Sequence, residues 1–227
     1  MAPRAGTEEA VDDVVAGLVG LAAGALVAPL ADRIATNAPV HRRLLRSAPR
    51  SRWLPLVAAA TALLGAASGV AFGLTLEAAA AALFCWILVV VTRTDFEHRL
   101  IPDRVVLPGI VLLLALRTVD DPSIEWALAT LLAGLALFVV VLVYPQGLGM
   151  GDVKLSALLG AGLGYFVGIA MFIGFFFAFV PALTLLVRQG RDARKETIPL
   201  GPFLALGAVI TLFAGNEIWD WYRDLGR

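Results

Sequence analysis

The chain has one cysteine, Cys85, and two histidines, His41 and His98, among 227 residues. A lone cysteine closes no disulfide within the chain and builds no cysteine-based zinc site. An excess of charge is missing too, since 18 Lys and Arg balance 18 Asp and Glu. With no basic surplus there is no electrostatic footprint for nucleic acid, and none is expected as a partner. Over long stretches charge is absent altogether: residues 14–30, 54–74, 126–144 and 155–187 contain no Asp, Glu, Lys or Arg. The opening "MAPRAGTEEAVDD" lacks the basic n-region of a signal peptide, so 14–30 is expected to be a retained anchor.

What is present is apolar. The composition is 59% hydrophobic with a mean hydropathy of +0.85, whereas a soluble domain is nearer half apolar, so the excess requires a solvent other than water. A bilayer core about 30 Å thick takes roughly 20 apolar residues per helix. The expected fold class is therefore all-α: a polytopic integral membrane protein with the lipid bilayer as its first partner. Length and helix breakers predict about eight transmembrane helices, at 14–31, 54–73, 77–94, 104–118, 126–144, 153–166, 168–187 and 198–215. The apolar stretch 54–94 is divided near "GLTLE" and 155–187 near "GYFVG", because each is too long for one helix. Residues 1–76 form an N-terminal transmembrane region with a short basic loop at 32–52, and 77–227 form the second transmembrane domain. No signal speaks to oligomeric state.

Basic loops set the expected orientation. Residues 32–52 carry six Arg against one Asp, and 188–197 carry three Arg and one Lys. Both are expected on the cytoplasmic side by the positive-inside rule. The acidic N-terminal stretch, "VDDPSIE" and "NEIWDWYRD" then fall outside, with Trp219, Trp221 and Tyr222 as an aromatic anchor. In this topology Asp95 closes the third span and Asp152 opens the sixth, so both stand at the cytoplasmic face.

Asp95 lies in "TRTDFEHRLIPDR" (92–104) and Asp152 in "GLGMGDVKL" (147–155). Taken singly, Asp95 reads as a solvated juxtamembrane charge, and Asp152 and Asp103 as helix N-caps. His98 reads as a solvated interface residue and Lys154 as a headgroup-boundary charge. Three alternating glycines, Gly147, Gly149 and Gly151, ask for more at Asp152. They cost helix stability and let another backbone come close. Ionisable groups near membrane depth are expensive and mark pathways or reactions. Two carboxyls meeting in a partly dry cleft do not both ionise cheaply, so one keeps its proton and the other stays charged. The charged one can deprotonate a water that attacks a peptide carbonyl, and the protonated one can donate to the developing oxyanion. That is aspartic-protease chemistry, for which no metal and no cofactor is expected.

"GMGD" at 149–152 resembles the GxGD signature of intramembrane aspartyl proteases. Together with "DFEHRLIPD" (95–103) and "IPLGPFLALG" (198–207) it is similar to the prepilin peptidases, or type IV leader peptidases, over roughly residues 80–215. The resemblance implies a GxGD aspartyl protease-like helical bundle with Asp95 and Asp152 as the catalytic pair and 77–227 as the peptidase domain. It implies supporting roles for Gly149, Gly151, Ile101, Pro102, Pro199, Gly201 and Pro202. The implied partner is a prepilin or pseudopilin, whose short basic leader is cut at the cytoplasmic face of a bacterial inner membrane. Many family members also carry a larger cytosolic domain with paired, zinc-binding cysteines and methylate the new N-terminus. Here the corresponding loop is 32–52 without a cysteine, so a full methylation domain is not expected.

Two other readings compete. "PAL" at 181–183 echoes the presenilins and signal peptide peptidases, but their first aspartate lies mid-helix without a "DxxxxxIPD" block. A proton- or cation-coupled transporter would use the same carboxylates, yet the sequence has no clear inverted repeat and no charge near the middle of any span.

Overall fold

A computed structural model describes residues 5–37, 51–145, 148–189 and 199–225. Most of the loop 32–52, most of 188–197, and His41, Gly147 and Ile198 lie outside the described residues. Among the described residues there are eight α-helices: α1 Ala5–Asn37, α2 Leu54–Phe72, α3 Leu76–His98, α4 Asp103–Asp120, α5 Glu125–Val143, α6 Met150–Leu163, α7 Val167–Gln189 and α8 Gly201–Leu225. Each corresponds to one expected segment. Six stretches are long and apolar enough to cross a membrane, with α6 and α7 together making one of 39 residues. By length and composition alone six stretches qualify, against eight helices among the described residues.

The breaks have local causes. After α2, Gly73 adopts φ +68°, and Thr75 then caps α3 by accepting the Ala78 N–H at 3.1 Å. Between α6 and α7, Gly164 at φ +59° opens a single 3-10 turn over Gly164–Phe166. Both positions sit in the left-handed region that glycine enters without a steric penalty.

Helices in lipid gain no hydrophobic drive toward each other, so close backbone approach must hold them. The α1–α2 pair does this with a glycine seam. Any Cβ at Gly20 would collide with the Gly65 carbonyl, and one at Gly24 with that of Thr61. The central core is carried by α3, fully buried at Phe84, Ile87, Leu88, Val90 and Val91, and packed against Val106 and Leu113 of α4, Leu155, Leu158 and Leu159 of α6, and Leu204 of α8.

One end of the bundle is tied by a buried cation. Arg117 of α4 is 6% exposed; it donates to Glu77 of α3 at 3.2 Å and to the Gly162 carbonyl of α6 at 3.0 Å. Its guanidinium lies 4.9 Å from the Trp126 ring centroid of α5. Four helices therefore meet on one side chain. Arg117→Met keeps the apolar stem but orphans the buried Gly162 carbonyl, and is expected to cost about 1–3 kcal/mol. The check is a lower Tm in detergent, and an unchanged Tm would remove the tie.

Candidate active site

Asp95, Asp103, Asp152 and Gly201 gather at the end of the bundle opposite Arg117. Asp95 occupies the last turn of α3 and is 7% exposed. The helix stops there because Arg99, the only non-glycine among the described residues with positive φ, takes the left-handed conformation (φ 51°, ψ 43°). The Arg99 N–H donates to the Asp95 carbonyl at 2.9 Å. A left-handed Arg costs roughly 1 kcal/mol or more, and it turns the chain abruptly away from the carboxyl.

Asp152 belongs to the first turn of α6. The N-cap is Gly149, whose N–H donates to Asp152 Oδ2 at 3.1 Å while the Asp152 N–H donates to the Gly149 carbonyl at 3.1 Å. The acid thus reaches back from the third helical position to the N-cap N–H, as the acidic half of a capping box does, and is not itself the cap. Asp152 is also among the charges that bear on the Asp95 carboxyl, as is Arg99. The two carboxyls are within electrostatic reach of each other although 57 residues (152 − 95) separate them along the chain.

The third motif supplies main chain. Gly201 begins α8, where a first-turn N–H has no partner within the helix, and it donates to Asp95 Oδ2 at 3.0 Å. A Cβ at Gly201 would lie 2.8 Å from that oxygen. Pro202 follows, buried, at a helix start where its missing N–H costs nothing. Pro199 is half-buried just outside the helix.

The first motif runs on from Arg99 over α6. Ile101 packs on Gly151, where an added Cβ would stand 3.2 Å from the Ile101 Cβ. Pro102, buried, is the N-cap of α4 with extended backbone (φ −76°, ψ 109°). Asp103 is accordingly the first helical residue and not the cap expected from sequence, because the fixed proline ring already sets the chain's approach. Lys154 has a partner the sequence did not announce: its Nζ donates to both Asp103 carboxylate oxygens, at 2.8 and 2.7 Å. His98 Nε2 lies 3.5 Å from Glu97 Oε2, and Glu97 in turn pairs with the buried Arg93. Asp95 with Gly201, Asp152 with Gly149, and Ile101 with Gly151 are thus each brought into contact at this end of the bundle.

A cavity of about 540 Å³ opens between α2, α3 and α8, lined by Phe96 and Pro202, the residues that follow Asp95 and Gly201. Its wall is almost wholly apolar, with Val57, Phe96, Pro202 and Leu206, and Arg93 and Trp53 stand at the margin with the guanidinium 5.1 Å from the ring centroid. Among the described residues no group of three or more His, Cys, Asp or Glu is arranged to hold a metal ion.

Sequence reasoning missed the Asp103–Lys154 pair and the donor role of the Gly201 backbone. A charge pattern was the available signal for the first; main chain carries none for the second.

The model of the type IV leader peptidase family matches residues 82–187. The chain is 34% identical over 173 residues to the prepilin leader peptidase/N-methyltransferase of Bacillus subtilis, covering 74% of this chain and 68% of that one. The proteins of the same name from Aeromonas hydrophila and Legionella pneumophila are 34% and 30% identical, each over 77% of this chain and 63% of theirs. The chain thus spans about two thirds of the length of these curated relatives. No solved structure gives a significant match.

Proposed function

This chain belongs to the type IV leader peptidase family, and we propose that it is an aspartic endopeptidase that removes the short basic leader from prepilin-like membrane proteins. The reading assigns the chemistry to Asp95 and Asp152 and the peptidase function to residues 77–227. It puts the cut at the cytoplasmic face of the inner membrane, where the leader of such a substrate stays. The observation that carries it is the convergence of two acids from separate motifs at one end of the bundle, each with one oxygen held by a backbone N–H.

The chemistry follows from that holding. One carboxylate oxygen of each acid is engaged by Gly201 or Gly149, which leaves the other, Oδ1, to meet water or substrate. The pair shares a proton between them. The ionised partner takes a proton from water, the resulting hydroxide attacks the scissile carbonyl, and the protonated partner donates to the oxyanion. Collapse of the tetrahedral species breaks the C–N bond: the amine of the mature protein takes the proton that the first acid drew from water, and the hydroxyl proton returns to the second acid, which restores the pair. The glycines on either side of Asp152 leave room for an extended peptide beside the main chain. The apolar cavity lined by Phe96 and Pro202 suits the hydrophobic segment that follows the cleavage point.

The test is to co-express the chain with a prepilin and follow the size of the product, then repeat the cleavage with purified components. A leader-sized loss in wild type, absent in the Asp152→Asn variant, is expected, and an intact prepilin would overturn the reading. Cleavage by purified protein is also expected to proceed at an unaltered rate after treatment with a chelator. Loss of activity restored by zinc would show a metal requirement that this mechanism does not contain.

A further inference from the structure

We propose that the Asp103–Lys154 ion pair is a positioning clamp: it fastens the turn after α3 to the first turn of α6 and so sets how far apart Asp95 and Asp152 stand. The proposal rests on the reading that these two acids act together.

The geometry argues it in three steps. First, the chain from Asp95 to Asp103 is short, eight residues (103 − 95), and leaves α3 through the left-handed Arg99. Its path is therefore set by wherever its far end is held. Second, that far end is held twice on α6, by Ile101 packed over Gly151 and by Lys154 Nζ bonded to both oxygens of Asp103 at 2.8 and 2.7 Å. Third, the α6 residues involved flank Asp152 on the same helical turn. Lys154 is two positions after Asp152, so on a helix it points away from the acid and cannot be its hydrogen-bond partner. Its effect on the acid is through position.

The energetics separate this role from a structural one. The Lys154 and Asp103 side chains are 32% and 53% exposed, and such pairs contribute little to stability. A shift of about 1 Å in a reacting group, in contrast, lowers a rate by about 10²-fold. A clamp predicts a large change in kcat with little change in Tm. A mere surface pair also leaves Tm nearly unchanged but predicts no change in kcat.

The experiment uses the full chain in detergent or native membranes, with a prepilin as substrate. Lys154→Met and Asp103→Asn are compared with the exchange variant Asp103→Lys/Lys154→Asp for kcat, KM and Tm. In parallel, Ile101→Cys and Gly151→Cys are introduced together into each background and their oxidative cross-linking rate is measured. That rate reports the fastening without requiring activity, and the native Cys85 is buried in the bundle. Each single variant is expected to lower kcat by about 10- to 50-fold, with KM within about twofold and Tm nearly unchanged. Cross-linking in the Lys154→Met background is expected to slow by at least about fivefold, since disulfides form only at short Cβ separations. The exchange variant is expected to recover kcat to within about fivefold of wild type, the remainder reflecting a lysine at a helix start.

Three results would overturn the clamp: an unchanged kcat in Lys154→Met, an exchange variant no better than the singles, or equal cross-linking in every background. If wild type cuts no prepilin while cross-linking still depends on the pair, the clamp stands as a structural fastening and the proposed function falls. If wild type cuts prepilin and cross-linking ignores the pair, the function stands and the clamp falls.

Discussion

Asp95→Asn and Asp152→Asn are each expected to lower leader cleavage by at least about 10³-fold, because each removes one of the two groups that move protons in the same step. The substitutions are isosteric, and Asn retains an acceptor oxygen for the Gly201 or Gly149 N–H. Membrane insertion and Tm should therefore stay close to wild type, which separates lost chemistry from lost structure. The double variant should be no worse than the weaker single, since residues that act as a unit are not additive. Measuring kcat for all three on one prepilin decides it. An Asp95→Asn enzyme with near wild-type kcat would take Asp95 out of the reaction, whatever its place in the bundle.

Gly201→Ala is expected to lower kcat by about 10- to 100-fold and Gly201→Val by more. The added Cβ lands 2.8 Å from Asp95 Oδ2 and 3.2 Å from its Cγ, too close for the carboxyl to stay where it is. The carboxyl must rotate or α8 must withdraw, and in either event the 3.0 Å hydrogen bond lengthens. Alanine is otherwise welcome in the first turn of a helix, so the variant should fold with little loss of Tm. Its KM should change little, because the clash falls on a group that reacts and not on the apolar wall of the cavity. A Gly201→Val enzyme as fast as wild type would show that the Asp95–Gly201 contact has no bearing on the reaction.

Much of the architecture was readable before any coordinates. Apolar stretches bounded by glycine, proline and charge located all eight helices, because a lipid-facing helix is unmistakable in composition even when its periodicity is flat. The two least certain divisions have clear reasons in hindsight: Gly73 and Gly164, each at positive φ, break what would otherwise be continuous apolar helices. The end of α3 was harder. Nothing in "DFEHRL" announces a left-handed arginine, and the helix runs on to His98, past the expected boundary at 94. α1 likewise extends to Asn37 and α8 to Leu225, since polar residues continue a helix once its apolar part has started it.

The candidate acids were legible from their motifs. What joins the motifs was not. Lys154 lies 51 residues from Asp103 along the chain, and a lysine beside a membrane helix has an adequate explanation in the headgroup region alone. Pro102 displaced Asp103 from its expected capping position for a reason local sequence does contain, the fixed φ of proline, but capping statistics favour the aspartate. The Asp103–Lys154 pair depends instead on which helix comes to lie beside which, and that is decided by packing over the whole bundle.

The hydrogen bond from Gly201 to Asp95 spans 106 residues and comes from α8, the latest helix among those described. During synthesis α3 and α6 reach the bilayer well before that donor exists. A partly made chain therefore displays both acids without the grip on Asp95, and any fragment ending before residue 201 shares the defect. On the proposed function, competence would arrive only with the docking of α8, and leader cleavage would then report on a bundle that has closed.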